Sequence, residues 1–234
     1  MEILSITKNQ KITHIIVTHT HNDHSPLSKY LQEKTGALIY SFNENDINTG
    51  DENKFEEGYD KEFKCDVGVK DGDIIKGKDW TLQAIHTPGH TSNHLCYSLE
   101  EEKILFSGDH VMGWSTTVIV PPDGNMEEYM QSLEKLLQRN DKYYLPTHGK
   151  MIKNPQDLVK KYISHRITRE NQIEEAIKSG NNKVIDIVKI IYADVDKKLY
   201  PAASMSTLAH LKRMIDNDQI KVSGSNLEGF YEIN

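Results

Sequence analysis

The sequence predicts an α+β protein: a region of short strands that hands polar residues to loops, followed by a mostly helical C-terminal region. Three observations carry this. The apolar, β-branched run over 12–18 has strand composition and length, and it opens directly into H-x-H-x-D-H, formed by His19, His21, Asp23 and His24. Three more strand-like runs each lead to one further candidate ligand: His90 in IHTPGHTSNH, Asp109 in ILFSGDH and His148 in YLPTHGK. From Asn154 the pattern changes to long stretches of helical periodicity. Two domains are expected, a larger one over 1–153 and a smaller one over 154–234.

Taken in order, the strand over 12–18 comes first. Ser25-Pro26 reads as an N-cap followed by proline at the first helical position. Leu27, Tyr30 and Leu31 recur at helical spacing, and Gly36 supplies a C-cap. A short strand is expected over 37–41. Residues 43–62 are acidic and aperiodic, an exposed loop that reads by default as a solvated insertion. Asp71-Gly72 marks a hairpin turn. A strand over 80–86 leads through Thr87-Pro88-Gly89 to His90, and strands over 95–99 and 103–106 flank a charged turn before Asp109.

Asn125, with Glu128 three residues on, is a capping-box variant. It opens a helix with the apolar stripe Met126, Tyr129, Met130, Leu133, Leu136 and Leu137. A last strand over 142–146 precedes His148. Asn154-Pro155 starts a long helix to about residue 179, stopped by Gly180; helices over 183–192 and 204–217 follow, and IKVSGSNLEGFYEI closes the chain as a hairpin.

The seven candidate ligands share a chemistry. Imidazole nitrogens and carboxylates are the usual ligands of zinc and similar ions. His19 and His21 are two apart, so in an extended segment they face the same side and can share an ion. Asp23 and His24 arrive as the chain turns and can reach a second one. A two-metal site of this kind can hold a hydroxide between the ions, since zinc brings the pKa of water down to about 7. A merely polar, histidine-rich loop would not repeat matching ligands at the ends of later strands. His86, His94 and His110 flank these motifs; orienting or surface roles are expected, with His94 and His110 the candidates to touch substrate.

H-T-H-N-D-H, T-P-G-H-T, F-S-G-D and P-T-H-G, in this order, resemble the metallo-β-lactamase superfamily. GDHVMGWSTT, NMEEYMQSLEKL and YISHRITRENQI, with the C-terminal extension, are similar to the β-lactamase-like protein 2 family. Members of that family are zinc-dependent endoribonucleases acting on single-stranded RNA. The resemblance implies an αββα sandwich with a small winged-helix-like C-terminal domain, and two zinc ions per chain. The expected arrangement puts His19, His21 and His90 on one ion and Asp23, His24 and His148 on the other, with Asp109 bridging. Asp23 is also the candidate catalytic residue, orienting a metal-bridged hydroxide that attacks phosphorus. No serine or cysteine nucleophile accompanies the motifs, so no covalent intermediate is expected. Lys212, Arg213 and Lys221 are candidate phosphate contacts, against a solvated helix face as the default; His165 is mid-helix and structural.

One departure matters. The superfamily usually opens with several strands and a helix before the H-x-H-x-D-H strand, and here only about a dozen residues precede it. A shortened sandwich is therefore expected. Two other readings stand beside the nuclease: a glyoxalase II-like thioester or lactone hydrolase using the same two-metal site, and an inactive, truncated or purely binding product.

Composition bounds the rest. The net charge is −7, with 13 Lys+Arg against 11 Asp+Glu over 151–234 and 15 against 24 before it. The net charge argues mildly against avid nucleic-acid binding, its distribution softens that, and any RNA contact is expected to be modest and salt-sensitive. No apolar run has the length of a membrane span. MEILSITKNQ lacks both a signal-peptide core and transit-peptide character, so the expected location is the mitochondrial matrix or the cytoplasm. Cys65 and Cys96 make no disulfide framework. Monomer and homodimer are equally compatible with the sequence.

Overall fold

The computed structural model describes residues 2–43 and 58–234, so most of the expected acidic loop lies outside the described residues. The chain forms two compact units. The first comprises Met1–Thr87, Asn93–Trp114 and Asp141–Lys153; the second comprises Pro88–Ser92, Ser115–Asn140 and Asn154–Asn234.

The first unit is built on two sheets. Strands β1 (His14–Ile16), β2 (Leu38–Phe42) and β3 (Val67–Val69) form an all-parallel sheet in the order β1-β2-β3. Strands β4 (Ile74–Lys76), β5 (Thr81–His86), β6 (Leu95–Leu99) and β7 (Ile104–Gly108) form an antiparallel meander, and β8 (Tyr143–Pro146) adds to β7 in parallel. Alternation sorts the first sheet's two faces. Phe42 and Val69, with Ile16 and Tyr40, pack on Ile75, Leu82, Ala84, Leu95 and Tyr97 of the second sheet. On the other face, Ile15, Val17, Ala37 and Ile39 pack with Leu31 of helix α2 (Leu27–Thr35). A preceding short helix, α1 (Glu2–Ile6), buries none of its residues.

Several local expectations are corrected. β1 is shorter than the run over 12–18: Val17 N–H still reaches the Tyr40 carbonyl at 2.9 Å, but the Thr18 carbonyl accepts from Leu95 N–H of β6 at 2.8 Å, so the chain leaves its first sheet there. Ser25 does not cap α2; its hydroxyl donates to Asp60 Oδ2 at 2.7 Å, and Pro26 holds the cap position without a side-chain bond. Gly36 ends α2 in the left-handed conformation, as the sequence implies. Asp71-Gly72 makes no hairpin, because β3 and β4 belong to different sheets; the turn carries the chain across, with Gly72 N–H on the Ala84 carbonyl at 2.9 Å. Cys65 and Cys96 are not joined in a disulfide.

The second unit contains helices α3 (Met126–Leu137), α4 (Pro155–Lys178), α5 (Val184–Ile191) and α6 (Tyr200–Asp216), and the antiparallel hairpin β9 (Ile220–Ser223) and β10 (Phe230–Ile233). Asn125 caps α3 by accepting from the N–H groups of Glu127 and Glu128; its own N–H goes to the Gly89 carbonyl, which takes the place of the reciprocal half of a capping box. α6 begins four residues before the expected start, with Pro201 in its first turn. A core of Ile173, Ile177, Val188, Leu208, Leu211, Ile220 and Tyr231 joins the end of α4 to α5, α6 and the hairpin, a winged-helix arrangement. Each such fully buried aliphatic side chain contributes roughly 1.5–3 kcal/mol.

Arg213 is not a free phosphate contact. Its guanidinium bonds Glu127 at 2.7 Å and Glu170 at 2.5 Å, tying α6 to α3 and α4. Lys221 lies 3.9 Å from Glu232 across the hairpin. Among the described residues no helix is long and apolar enough to cross a membrane.

Candidate metal centre

Six of the seven expected ligands lie in the first unit, each just past the C-terminal end of a strand. His19, His21, Asp23 and His24 leave β1; Asp109 leaves β7; His148 leaves β8. β7 and β8 run parallel, so their C-terminal ends deliver Asp109 and His148 to the same side. Between Phe106 and Gly108 the register slips by one residue, a bulge that re-aims the chain immediately before Asp109.

The H-x-H-x-D-H loop is tightly held. Its turn is closed by His24 N–H on the His21 carbonyl at 2.9 Å. Asn93 Nδ2 donates to Thr20 Oγ1 at 2.6 Å, and Tyr97 Oη donates to the Val17 carbonyl at 3.1 Å. The described end of the acidic segment joins in: Asn22 N–H bonds the Gly58 carbonyl, and Asp60 N–H bonds the Thr20 carbonyl, both at 2.8 Å.

Asp23, His24, Asp109 and His148 converge. His24 Nε2 lies 3.4 Å from Asp23 Oδ1 and 3.5 Å from Asp109 Oδ2. His148 Nε2 lies 3.3 Å from Asp23 Oδ2 and 3.7 Å from Asp109 Oδ1. His19 Nε2 and His21 Nδ1 are 3.1 Å apart. His19, His24 and Asp109 form one group of potential ligands, and Asp23, His24 and His148 another.

These distances fit a metal. A tetrahedral shell with bonds of about 2.1 Å has edges of about 3.4 Å. His24 Nε2 is buried and makes no hydrogen bond, although two carboxylates face it. A buried imidazole nitrogen in that position is costly unless something satisfies it, and a shared cation would do so. The donor set of imidazoles and carboxylates suits zinc and related transition ions.

Supporting bonds fix the ligands. Thr18 Oγ1 lies 3.0 Å from His19 Nδ1, which leaves Nε2 to face the site. The Thr147 hydroxyl donates to Asp109 Oδ1. Asp109 N–H donates to His94 Nε2 at 3.1 Å, and His94 Nδ1 lies 2.9 Å from Thr87 Oγ1. Gly108 allows this: at φ +53°, a Cβ there would stand 2.4 Å from His94 Nε2. His94 is therefore an orienting group, buried behind the site. His110 is also buried, its ring 5.8 Å from that of His94, while His86 stacks on Phe42 at 4.4 Å.

His90, the seventh expected ligand, falls in the second unit, on the turn that follows β5. Its Nδ1 lies 2.7 Å from the Val118 carbonyl, which marks Nδ1 as protonated. His165 is exposed on α4. Sequence reasoning missed Thr87 and Thr147. Thr147 had a signal, since it directly precedes His148; Thr87 became legible only through the tautomer of His94.

A family profile described as the metallo-β-lactamase superfamily matches residues 7–148, and one described as the β-lactamase-associated winged helix domain matches 184–228. The chain is 30% identical over 230 residues to a Drosophila melanogaster protein named β-lactamase-like protein 2 homolog, covering 93% of this chain and 73% of that one. It is 29% identical over 184 residues to an atrochrysone carboxyl ACP thioesterase of Aspergillus fumigatus, covering 76% of this chain and only 51% of that one. Among solved structures, a metallo-β-lactamase family protein from Thermus thermophilus superposes with a TM-score of 0.75 at 18% identity, over 95% of this chain and 80% of that one. At that identity the likeness speaks for the fold alone.

Proposed function

The chain belongs to the metallo-β-lactamase superfamily, and on that premise we propose that it is a zinc-dependent endoribonuclease that cleaves single-stranded RNA. The coarser part, a superfamily hydrolase with a His/Asp cluster able to bind metal, follows from the fold and the site. The observation that carries the proposal is the spacing of Asp23, His24, Asp109 and His148, whose facing donor atoms lie at the edge lengths of a metal's coordination shell. We assign His19, His21 and His90 to one zinc ion and Asp23, His24 and His148 to the second, with Asp109 between them. Bound, the pair would supply Lewis acidity and a water acidic enough to ionise near neutral pH.

The chain's own residues do the rest. Asp109, held by His94 and Thr147, keeps its two oxygens towards His24 and His148. Asp23 has a side chain 63% exposed, so it reaches both its histidine neighbours and the solvent side. There it can orient the attacking water and accept its proton. RNA as substrate is the expectation carried by the resemblance of GDHVMGWSTT, NMEEYMQSLEKL and YISHRITRENQI to the β-lactamase-like protein 2 family, a name that the Drosophila relative also bears.

The second reading, a thioester hydrolase, is favoured by one observation, the 29% identity to a protein named as a thioesterase. Metal-loaded protein assayed on an acyl thioester and on single-stranded RNA, each in the presence of the other, separates the two. RNA turnover with weak thioester turnover supports the nuclease. Efficient thioester hydrolysis unaffected by RNA overturns it. Metal analysis of the same preparation is expected to find two zinc ions per chain rather than iron.

A further inference from the structure

Trp114 is 72% exposed, and its indole lies parallel to the imidazole of His148, with 6° between the planes and 5.9 Å between centroids. His148 is itself partly open and holds Nε2 3.3 Å from Asp23. A single exposed apolar residue is ordinary on a protein surface; the placement of this one is not. Gly113 N–H donates to the His148 carbonyl at 3.0 Å. A Cβ on Gly113 would stand 2.3 Å from the Lys150 carbonyl oxygen, and one on Gly149, at φ +96°, 2.8 Å from the Gly113 carbonyl carbon. The backbone that carries Trp114 and the backbone that carries His148 thus touch directly, in a contact only glycine fits. The indole is pre-positioned with one face towards a ligand ring and much of its surface open.

We propose that Trp114 is a stacking platform for a nucleobase of the substrate strand next to the scissile phosphate. This rests on the single-stranded RNA reading above and names the subsite that would bind it. The charge balance favours the same conclusion. With 15 Lys+Arg against 24 Asp+Glu over residues 1–150, this region has little electrostatic attraction to offer a polyanion. Stacking on an aromatic face requires no charge and tolerates any base, which is how sequence-tolerant single-strand binders gain affinity.

Two measurements test it. The first uses the Asp23→Ala chain, in which cleavage is expected to be slow, and reads tryptophan fluorescence; the part of the signal removed by adding Trp114→Phe belongs to Trp114. A short oligoadenylate is expected to quench that part, and an abasic ribose-phosphate oligomer of equal length is not. The second is steady-state cleavage. Trp114→Leu is expected to raise KM roughly 5- to 100-fold with kcat little changed, and Trp114→Phe to restore most of the loss. Equal quenching by the abasic oligomer, no quenching by oligoadenylate, or an unchanged KM in a parent-like Trp114→Leu enzyme would overturn the platform while leaving the nuclease reading intact. A parent protein that neither binds nor cleaves RNA but hydrolyses a thioester removes the nuclease reading, and this proposal with it.

Discussion

His94 accepts the backbone N–H of Asp109 on Nε2 at 3.1 Å, and this bond settles which nitrogen of a buried histidine carries the proton. Nδ1 must then donate to Thr87 Oγ1, 2.9 Å away. The ring is 5.2 Å from that of His19, so it supports two candidate ligands from behind. His94→Ala is expected to weaken zinc binding about 10- to 100-fold. It should also cost about 1–3 kcal/mol, because the Asp109 N–H loses its partner in a buried position. Competition against a chromophoric chelator measures the first and chemical denaturation the second; unchanged zinc affinity would show that Asp109 needs no such support.

Arg213 reads differently in the structure than in the sequence. Its two carboxylate partners make it a fastener within the second unit, so Arg213→Ala is expected to lower stability by about 1–3 kcal/mol. Lys212→Ala, by contrast, should stay within about 0.5 kcal/mol. Denaturant midpoints of the two variants check this. If Arg213→Ala left the midpoint unchanged while weakening RNA binding, the phosphate-contact reading would return.

His210 is fully buried on α6, with Nδ1 3.1 Å from Glu170 Oε1. Burial pushes its pKa below the ordinary histidine value; the Glu170 bond pulls it up without overcoming that, and Arg166 and Arg169 push it down. The folded chain therefore resists a proton that the unfolded chain accepts near pH 6.5. Its contribution to stability is complete above that pH and is lost as the pH falls. The fall in Tm between about pH 7.5 and about pH 5.5 should be smaller in His210→Gln than in the parent. An equal fall in both would mean that His210 takes no part.

Zinc should raise the melting temperature. A ligand that binds only the native state adds about 2.7 kcal/mol at a hundredfold excess over its Kd. A cooperative melt that moves upward with zinc is expected. A broad melt indifferent to zinc would favour the inactive or purely binding reading.

How far the sequence could be read depends on how local each device is. The H-x-H-x-D-H loop, Asp109 and His148 were legible because each is a short contiguous motif after a strand, and Asn125 was legible as a cap because capping involves the next three residues. Ser25 looked like a cap because its competitor, Asp60, lies 35 residues away in sequence. Asp71-Gly72 looked like a hairpin because turn chemistry is the same whether the following strand pairs back or crosses to another sheet. Arg213 looked available because Glu127 is 86 residues upstream. Long-range partners overrode local signals in all three cases.

The most direct test of the central claim is cleavage of an end-labelled single-stranded RNA by purified, zinc-loaded protein, run beside its Asp23→Ala variant and a chelated sample. Asp23 has a largely exposed side chain, so without metal the variant should melt within about 0.5 kcal/mol of the parent and differ in chemistry rather than in fold. Cleavage by the parent, lost on chelation and reduced at least a hundredfold in Asp23→Ala, is the expected result. Equal cleavage by parent and variant, or none from a parent carrying two zinc ions, would contradict it.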